Sequence, residues 1–347
     1  MRPRLSVVAL VVTVVGCMPS ATPRTPSTTP STTIAASIPA PATPAAVASP
    51  RVEHLDGTAP HLVGEPIEIS ELTGRILTDD FEDVFAFDVD GSNVVTIAGE
   101  PGAEFDAAWS PDGEWVVYRD STRGINNDDE IFTARADGSD RRNITNNPAN
   151  DWGPDWSPDG STIAFNSDRD GRLAGFLMNP DGSNVRRIDE DMWFEYPSWS
   201  PDGTQIAFES AQGNSYDIFV LDLASGEITR LTDAPGNDSW PAWSPDGSTI
   251  AFSSHRDDCR IAPRDHACWL SDEPNDEHTD VWLVAPDGSN LRRATPEAGQ
   301  FVAWSPDGAY LLVSGRALYV LRPDGSGRLE LRAEGYPLAL GGIPDWR

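Results

Sequence analysis

The chain has 347 residues, with 55 acidic against 25 basic side chains and a formal net charge of −30; every cation is an arginine. A field of that sign repels phosphate backbones, which argues against nucleic acid as a partner; it reads first as solubility of a surface-displayed domain, with Ca²⁺ or a basic protein partner as the alternatives. Thirty prolines, 29 glycines, 12 tryptophans and a hydrophobic share of 39% describe a folded, turn-rich β protein rather than a membrane-embedded one.

The first segment, MRPRLSVVALVVTVVGC, places Arg2 and Arg4 before an apolar run from Leu5 to Val15. That run is shorter than the roughly 20 residues a bilayer span requires, so residues 1–16 read as an export signal. Val14 to Cys17 resembles the lipobox of bacterial lipoproteins, in which the cysteine thiol is acylated and becomes the new N-terminus. An ordinary signal peptide with a chance cysteine is the alternative. Acylated Cys17 would carry more than one chain, at about 0.8 kcal/mol per buried CH₂, enough for a stable anchor in a bacterial envelope membrane. The protein would then sit on the periplasmic or cell-surface side. Residues 17–55 continue as an almost uncharged Thr-, Pro-, Ala- and Ser-rich tether, which cannot bury a core and is held extended by proline. A lead-in of residues 56–73 follows.

From residue 74 onward one pattern returns. Trp-Ser-Pro-Asp-Gly begins at Trp109, Trp156, Trp199, Trp243 and Trp304, at intervals of 47, 43, 44 and 61 residues, and a shortened copy ends the chain with Trp346. Periods of roughly 40 to 50 residues are those of four-stranded propeller blades. In one unit, PAWSPDGSTIAF (241–252), a short strand enters a Pro-Asp-Gly turn and an alternating strand leaves it. A third strand follows, as in residues 216–223 or 280–286, and a second Asp-Gly turn leads to a fourth. Before the first motif stand three strands without an inner one, at 74–78, 83–90 and 93–98, and after the last full unit stands one inner strand alone. Three plus one completes a blade. The sequence therefore predicts an all-β, six-bladed β-propeller over residues 74–347, closed by the C-terminal inner strand, which also removes exposed sheet edges.

The recurring WSPDG turn, followed by a D-I-F-V strand (217–220), a DGSN turn (287–290) and an R-L-T strand (230–232), resembles the WD-like repeat of the TolB family. The resemblance implies a six-bladed propeller of the bacterial envelope that binds a protein partner. The chain departs from the founding member in having only about 20 residues between tether and first blade, with no room for an N-terminal α/β domain. Similar propellers also occur in prolyl oligopeptidases and in some polysaccharide lyases. A catalytically empty peptidase propeller and a glycan-recognising or glycan-cleaving one are therefore the alternative readings.

Candidate functional residues gather where one blade joins the next, on the face opposite the WSPDG turns. Aromatic and acidic residues precede each inner strand: Phe105 with Asp106, Trp152 with Asp151, Tyr196 with Glu195, Trp240 with Asp238, and Phe301 alone. Around a central channel they would form an aromatic-rimmed acidic mouth suited to a basic peptide or a sugar. The bland alternative is that the acids cap strand amides, and the same choice applies to Asp155 and Asp345, each directly before its tryptophan.

One unit carries about 17 extra residues between its second and third strands, within 255–280. The surplus holds Cys259 and Cys268, which in an exported protein read first as a disulfide, and His255, His266 and His278 flank them. A Zn²⁺ site from these five residues is the lesser alternative, because their spacing fits no standard ligand pattern. Ca²⁺ at Asp-rich turns such as 126–130 and 166–172 is another, without the EF-hand spacing. No cofactor is the primary expectation. No nucleophile elbow, phosphate loop or HExxH motif is present, so the residues favour a binding module over an enzyme. A lyase using His255 or His278 as base remains open.

Overall fold

The WSPDG turn is a hydrogen-bonded unit before it is part of a blade. In the computed structural model, Ser110 Oγ donates to Asp112 Oδ1 at 2.6 Å, and the same carboxylate accepts the Glu114 N–H at 3.0 Å. Ser110 Oγ in turn accepts the Trp115 N–H at 2.9 Å. The Ser–Asp bond recurs at 2.7 Å in Ser157–Asp159, Ser200–Asp202, Ser244–Asp246 and Ser305–Asp307. Each of these aspartates is thereby held below the usual carboxylate range and stays ionised. The motif glycine turns with a left-handed φ and, from the second copy on, lies against the motif proline of the preceding copy, while Gly113 of the first lies against Arg347; a Cβ on Gly203 would stand 3.3 Å from Pro158. Repetition is therefore required by contact between neighbouring copies as well as by each turn.

The structure describes residues 65–80, 82–99, 103–121, 129–188, 192–212, 215–256, 279–295, 299–315, 317–332 and 342–347. Cys17, the tether, Cys259, Cys268, His266 and His278 lie outside them. Among the described residues 24 strands form six four-stranded antiparallel sheets, one per blade. Blade 2 runs Glu104–Trp109, Trp115–Asp120, Glu130–Arg135 and Arg142–Asn143; blade 3 runs Asp151–Trp156, Ile163–Ser167, Ala174–Met178 and Arg186–Arg187. Blade 4 comprises Glu195–Trp199, Gln205–Gln212, Ser215–Asp222 and Ile228–Arg230. Blade 5 comprises Asp238–Trp243, Ile250–Ser254, Asp280–Val284 and Arg292–Arg293, and blade 6 Phe301–Trp304, Leu311–Ser314, Tyr319–Leu321 and Leu329–Glu330. Blade 1 is composite, as the sequence predicts. Asp345–Trp346 pairs as inner strand with Arg75–Asp79, followed by Val84–Asp88 and Val95–Ala98. Ile76 stands opposite Trp346 and Leu77 opposite Asp345.

The apolar core is divided into six interblade layers, and the motif tryptophans build them. Trp109 packs among Leu77, Val84 and Ala86 of blade 1, and Trp156 among Val117 and Ile131 of blade 2. Trp199 meets Ala164 and Leu177, and Trp243 meets Ile218 and Val220. Trp304 meets Val281 and Leu283, and Trp346 closes the circle on Leu312 and Val320 of blade 6. Each tryptophan thus fills the gap toward the preceding blade, burying an area that dominates the local energetics. Ile67 and Leu72 of the lead-in are buried in that last layer, and Tyr310 Oη donates to Glu71 at 3.0 Å, so the lead-in seals the seam of first and last blades.

The outer strands are short, and those of blades 2 to 5 carry arginines, which blunts them as edges. Arg230 pairs with Asp217 at 2.7 Å and Arg293 with Asp280 at 2.6 Å, while Thr145, Thr232 and Thr295 accept the N–H of Ile131, Ile218 and Val281. The WSPDG turns share one face, here the bottom. The joining segments and the loops between second and third strands share the other, the top.

Candidate functional site at the channel mouth

Each inner strand enters from the top. In blades 2 to 5 its register against the second strand shifts, between Phe105 and Ala108, Trp152 and Asp155, Glu195 and Ser198, and Ser239 and Ala242. The residue three before the motif tryptophan takes a left-handed φ there: Asp106 at 51°, Gly153 at 58°, Tyr196 at 47° and Trp240 at 53°. A bulge of this kind re-aims a side chain, and Asp106, Tyr196 and Trp240 all line the axial cavity of about 340 Å³. The rings of Tyr196 and Trp240 meet edge-on at 6.0 Å, and those of Trp240 and Phe301 at 4.6 Å. An aromatic arc therefore spans blades 4 to 6, with Tyr196 and Trp240 on the cavity wall and Phe301, 7% exposed, outside it.

Left-handed non-glycine residues cost on the order of 1–2 kcal/mol each, and for Tyr196 and Trp240 the preceding blade supplies a compensating bond. Asn166 Oδ1 accepts the Tyr196 N–H at 3.0 Å and its Nδ2 donates to Phe194 O. Glu209 Oε2 accepts the Trp240 N–H at 2.9 Å. Ser253 and Ser314, at the same position of their strands, donate to Gln300 O and Gly342 O. None of these clasp residues is expected from the site patterns above. A signal was nevertheless present: Ile-Ala-Phe is followed by Asn166, Glu209 or Ser253, a polar residue ending an otherwise apolar strand.

The electrostatics of the mouth follow from burial. Glu195 stands directly opposite Glu209 in register. Burial, with Glu195 as a further contribution, pushes the Glu209 carboxyl up to about 8, against the lowering effect of the Trp240 N–H. Glu195 is also raised by burial and accepts from Trp193 Nε1. Tyr216 is pushed up to about 12 by burial and by both glutamates, and Tyr196 is raised further in the same way. Trp193, 47% exposed, is among the few large hydrophobic side chains that the described residues leave in solvent.

Deeper in the channel, Asp155 accepts the Trp199 N–H at 2.9 Å and Asp345 the Trp109 N–H at 2.7 Å, each joining its own inner strand to another blade's. Burial, and the like charge of Asp345, raise Asp155 to about 7.

The remaining candidates divide. Asp106 lies 3.6 Å from Arg119, which stacks on Phe105 at 5.3 Å and pairs with Asp129 at 2.7 Å. Trp152, one residue before the bulge, is half-buried opposite Asn166. Asp151 is fully buried and bonded to Arg169 at 2.9 Å and Asn147 at 2.6 Å. Asp238 is likewise buried, bonded to Arg256 at 2.7 Å and Ser254 at 2.5 Å. These two acids serve matched Asp–Arg–Ser clasps inside their blades, and the cavity wall does not include them. His255 is half-buried with Nε2 at 3.1 Å from Thr279 Oγ1. Among the described residues no group of three His, Cys, Asp or Glu side chains is arranged to hold a metal ion.

Residues 77–194 and 192–260 match the TolB beta propeller domain. The chain belongs to the TolB β-propeller family. Among solved structures, this propeller resembles TolB from Acinetobacter baumannii at 21% identity and a TM-score of 0.61, over 79% of this chain and 66% of that one. It resembles putative TolB from Agrobacterium tumefaciens at 20% identity and a TM-score of 0.57, over 75% of this chain and 88% of that one. A chain of a nidogen/laminin complex superposes with a TM-score of 0.60 at 10% identity, over 78% of this chain and 97% of that one. Comparison with curated proteins gives no match.

Proposed function

We propose that this chain is a lipid-anchored, extracytoplasmic binding module of the bacterial envelope, and that its propeller grips a protein partner at the top mouth of the channel. The observation that carries the reading is the arc of Tyr196, Trp240 and Phe301, in which strained bulges hold Tyr196 and Trp240 with bonds from the preceding blade. Rigid aromatic rings beside partly buried carboxylates are what an interface anchor site offers. The surplus of acids over arginines favours a basic partner, and Cys17 with its tether supplies the membrane attachment. A propeller resembling TolB and a chain from a protein–protein complex is compatible with such a role.

The test is a cross-linked pull-down from the native envelope, comparing the wild type with a Trp152→Ala/Trp240→Ala variant. A specific protein captured by the first and lost by the second supports the reading; equal capture by both removes the mouth from it. A glycan-binding role is the second reading, favoured by the exposed Trp193 ring held by Glu195. It expects a raised melting temperature with envelope glycans, abolished by Trp193→Ala.

A further inference from the structure

A second cavity among the described residues lies on the opposite face. A groove of about 680 Å³ opens between blades 2 and 3 at the bottom, a volume ordinary for a ligand site. Its walls are flat and apolar: Trp115, Trp156, Ile144, Pro111 and Pro180. Trp115 has no aromatic counterpart in blades 3 to 5, where Thr162, Gln205 and Thr249 occupy the same place after the turn. Its ring is half-buried and braced by Arg135 at 4.4 Å and Arg142 at 5.6 Å. Trp156 is 8% exposed, and its Nε1 has no hydrogen-bond acceptor in the structure. The same holds for Trp109, Trp199 and Trp243, so the buried N–H belongs to the repeat and not to the groove.

The rim sets the charge of what can enter. Arg135 is paired with Glu114 at 3.4 Å and Arg142 with Asp140 at 2.8 Å, so both cations are already matched. Asp159 and Asp181 are exposed on the blade 3 side and bond only within their own turns, to Ser157, Ser161 and Ser183. Flat aromatic and proline walls and two carboxylates matched to no cation are the complement of an extended peptide that carries proline and one cation. Proline-rich segments keep a preformed extended conformation with outward carbonyls, and they dock against aromatic walls at low entropic cost.

We propose that the groove between blades 2 and 3 is a second binding site, taking an extended proline-containing peptide whose basic residue meets Asp159 and Asp181. It is separate from the channel mouth and does not depend on the function assigned there.

The probe is a fluorescently labelled oligoproline peptide with one central arginine, titrated into the full chain by anisotropy. Saturable binding is expected, weakened about tenfold by Trp115→Ala, as for an aromatic anchor worth about 1.4 kcal/mol. The Asp159→Asn/Asp181→Asn variant keeps the oxygens that hold the turns but removes the charge. It should weaken binding about three- to tenfold and flatten the salt dependence. Trp240→Ala, at the mouth, should bind as the wild type does. Absence of saturable binding to the wild type would overturn the proposal, as would affinity unchanged in both groove variants. So would loss of binding in Trp240→Ala with the groove variants unaffected, which would move the peptide to the channel.

Discussion

Glu209 links the strain at the mouth to its protonation, so Glu209→Gln is the most informative single change. The carboxyl rises from an ordinary 4.5 to about 8 in the fold. Below its unfolded value both states are protonated and the group is neutral to stability. As pH rises from there toward 8 the unfolded chain gives up its proton first, so stability falls; above 8 the full penalty applies. At ~1.36 kcal/mol per pKa unit the upper bound is roughly 5 kcal/mol, and side-chain relaxation reduces the expected effect to about 1–3 kcal/mol. Glutamine keeps an oxygen for the Trp240 N–H, now 2.9 Å from Oε2, while removing the charge. Urea unfolding should therefore give equal stability for variant and wild type near pH 4, and a variant more stable by about 1–3 kcal/mol at pH 8.5. A variant less stable at pH 8.5, or a difference that does not change with pH, would refute this account of the mouth.

Closure by the C-terminal strand predicts that Trp346→Ala, which empties a 5%-exposed site and loses the Nε1 bond to Thr73 O at 2.9 Å, destabilises by about 3–5 kcal/mol in urea unfolding. Gly182→Ala and Gly171→Ala form a matched pair, because both glycines have φ +81 but only Gly182 faces a neighbour, the Ile144 carbonyl of blade 2. The first should cost about 2–4 kcal/mol and the second about 1 kcal/mol by the same assay, so equal losses would deny the interblade contact. Asp202→Ala removes the acceptor for Ser200 Oγ, Thr204 N–H and Thr204 Oγ1 and should cost about 1–2 kcal/mol.

The architecture was legible because the repeat is a contact. Four of the five WSPDG prolines lie against the next copy's glycine, and each tryptophan enters the layer of the blade before it, so spacing and blade count follow from the string. The composite first blade could be counted for the same reason. The mouth was only half legible. Alternation along an inner strand would put an acid and its neighbouring aromatic on opposite sides, but the bulge inverts that order. The inversion has no glycine signature in three of four blades, where Asp106, Tyr196 and Trp240 take the left-handed conformation. Asp151 and Asp238 are consequently placed in buried ion pairs, while Asp106, Tyr196 and Trp240 reach the channel. Arg169 and Arg256, two residues beyond Ser167 and Ser254, were the visible partners of those acids. The cysteine-bearing insertion of blade 5 and the tether lie outside the described residues.

The central claim, that the top mouth is the partner-binding surface, is tested most directly by site-specific photo-crosslinking in the native envelope. A photoreactive residue replacing Trp193 reports on the top face, and one replacing Thr204 reports on a blade 4 turn at the bottom. The account predicts a discrete protein adduct from position 193, absent from position 204 and lost when Trp240→Ala is added. An adduct from position 204 alone, or one from 193 that survives Trp240→Ala undiminished, would contradict it.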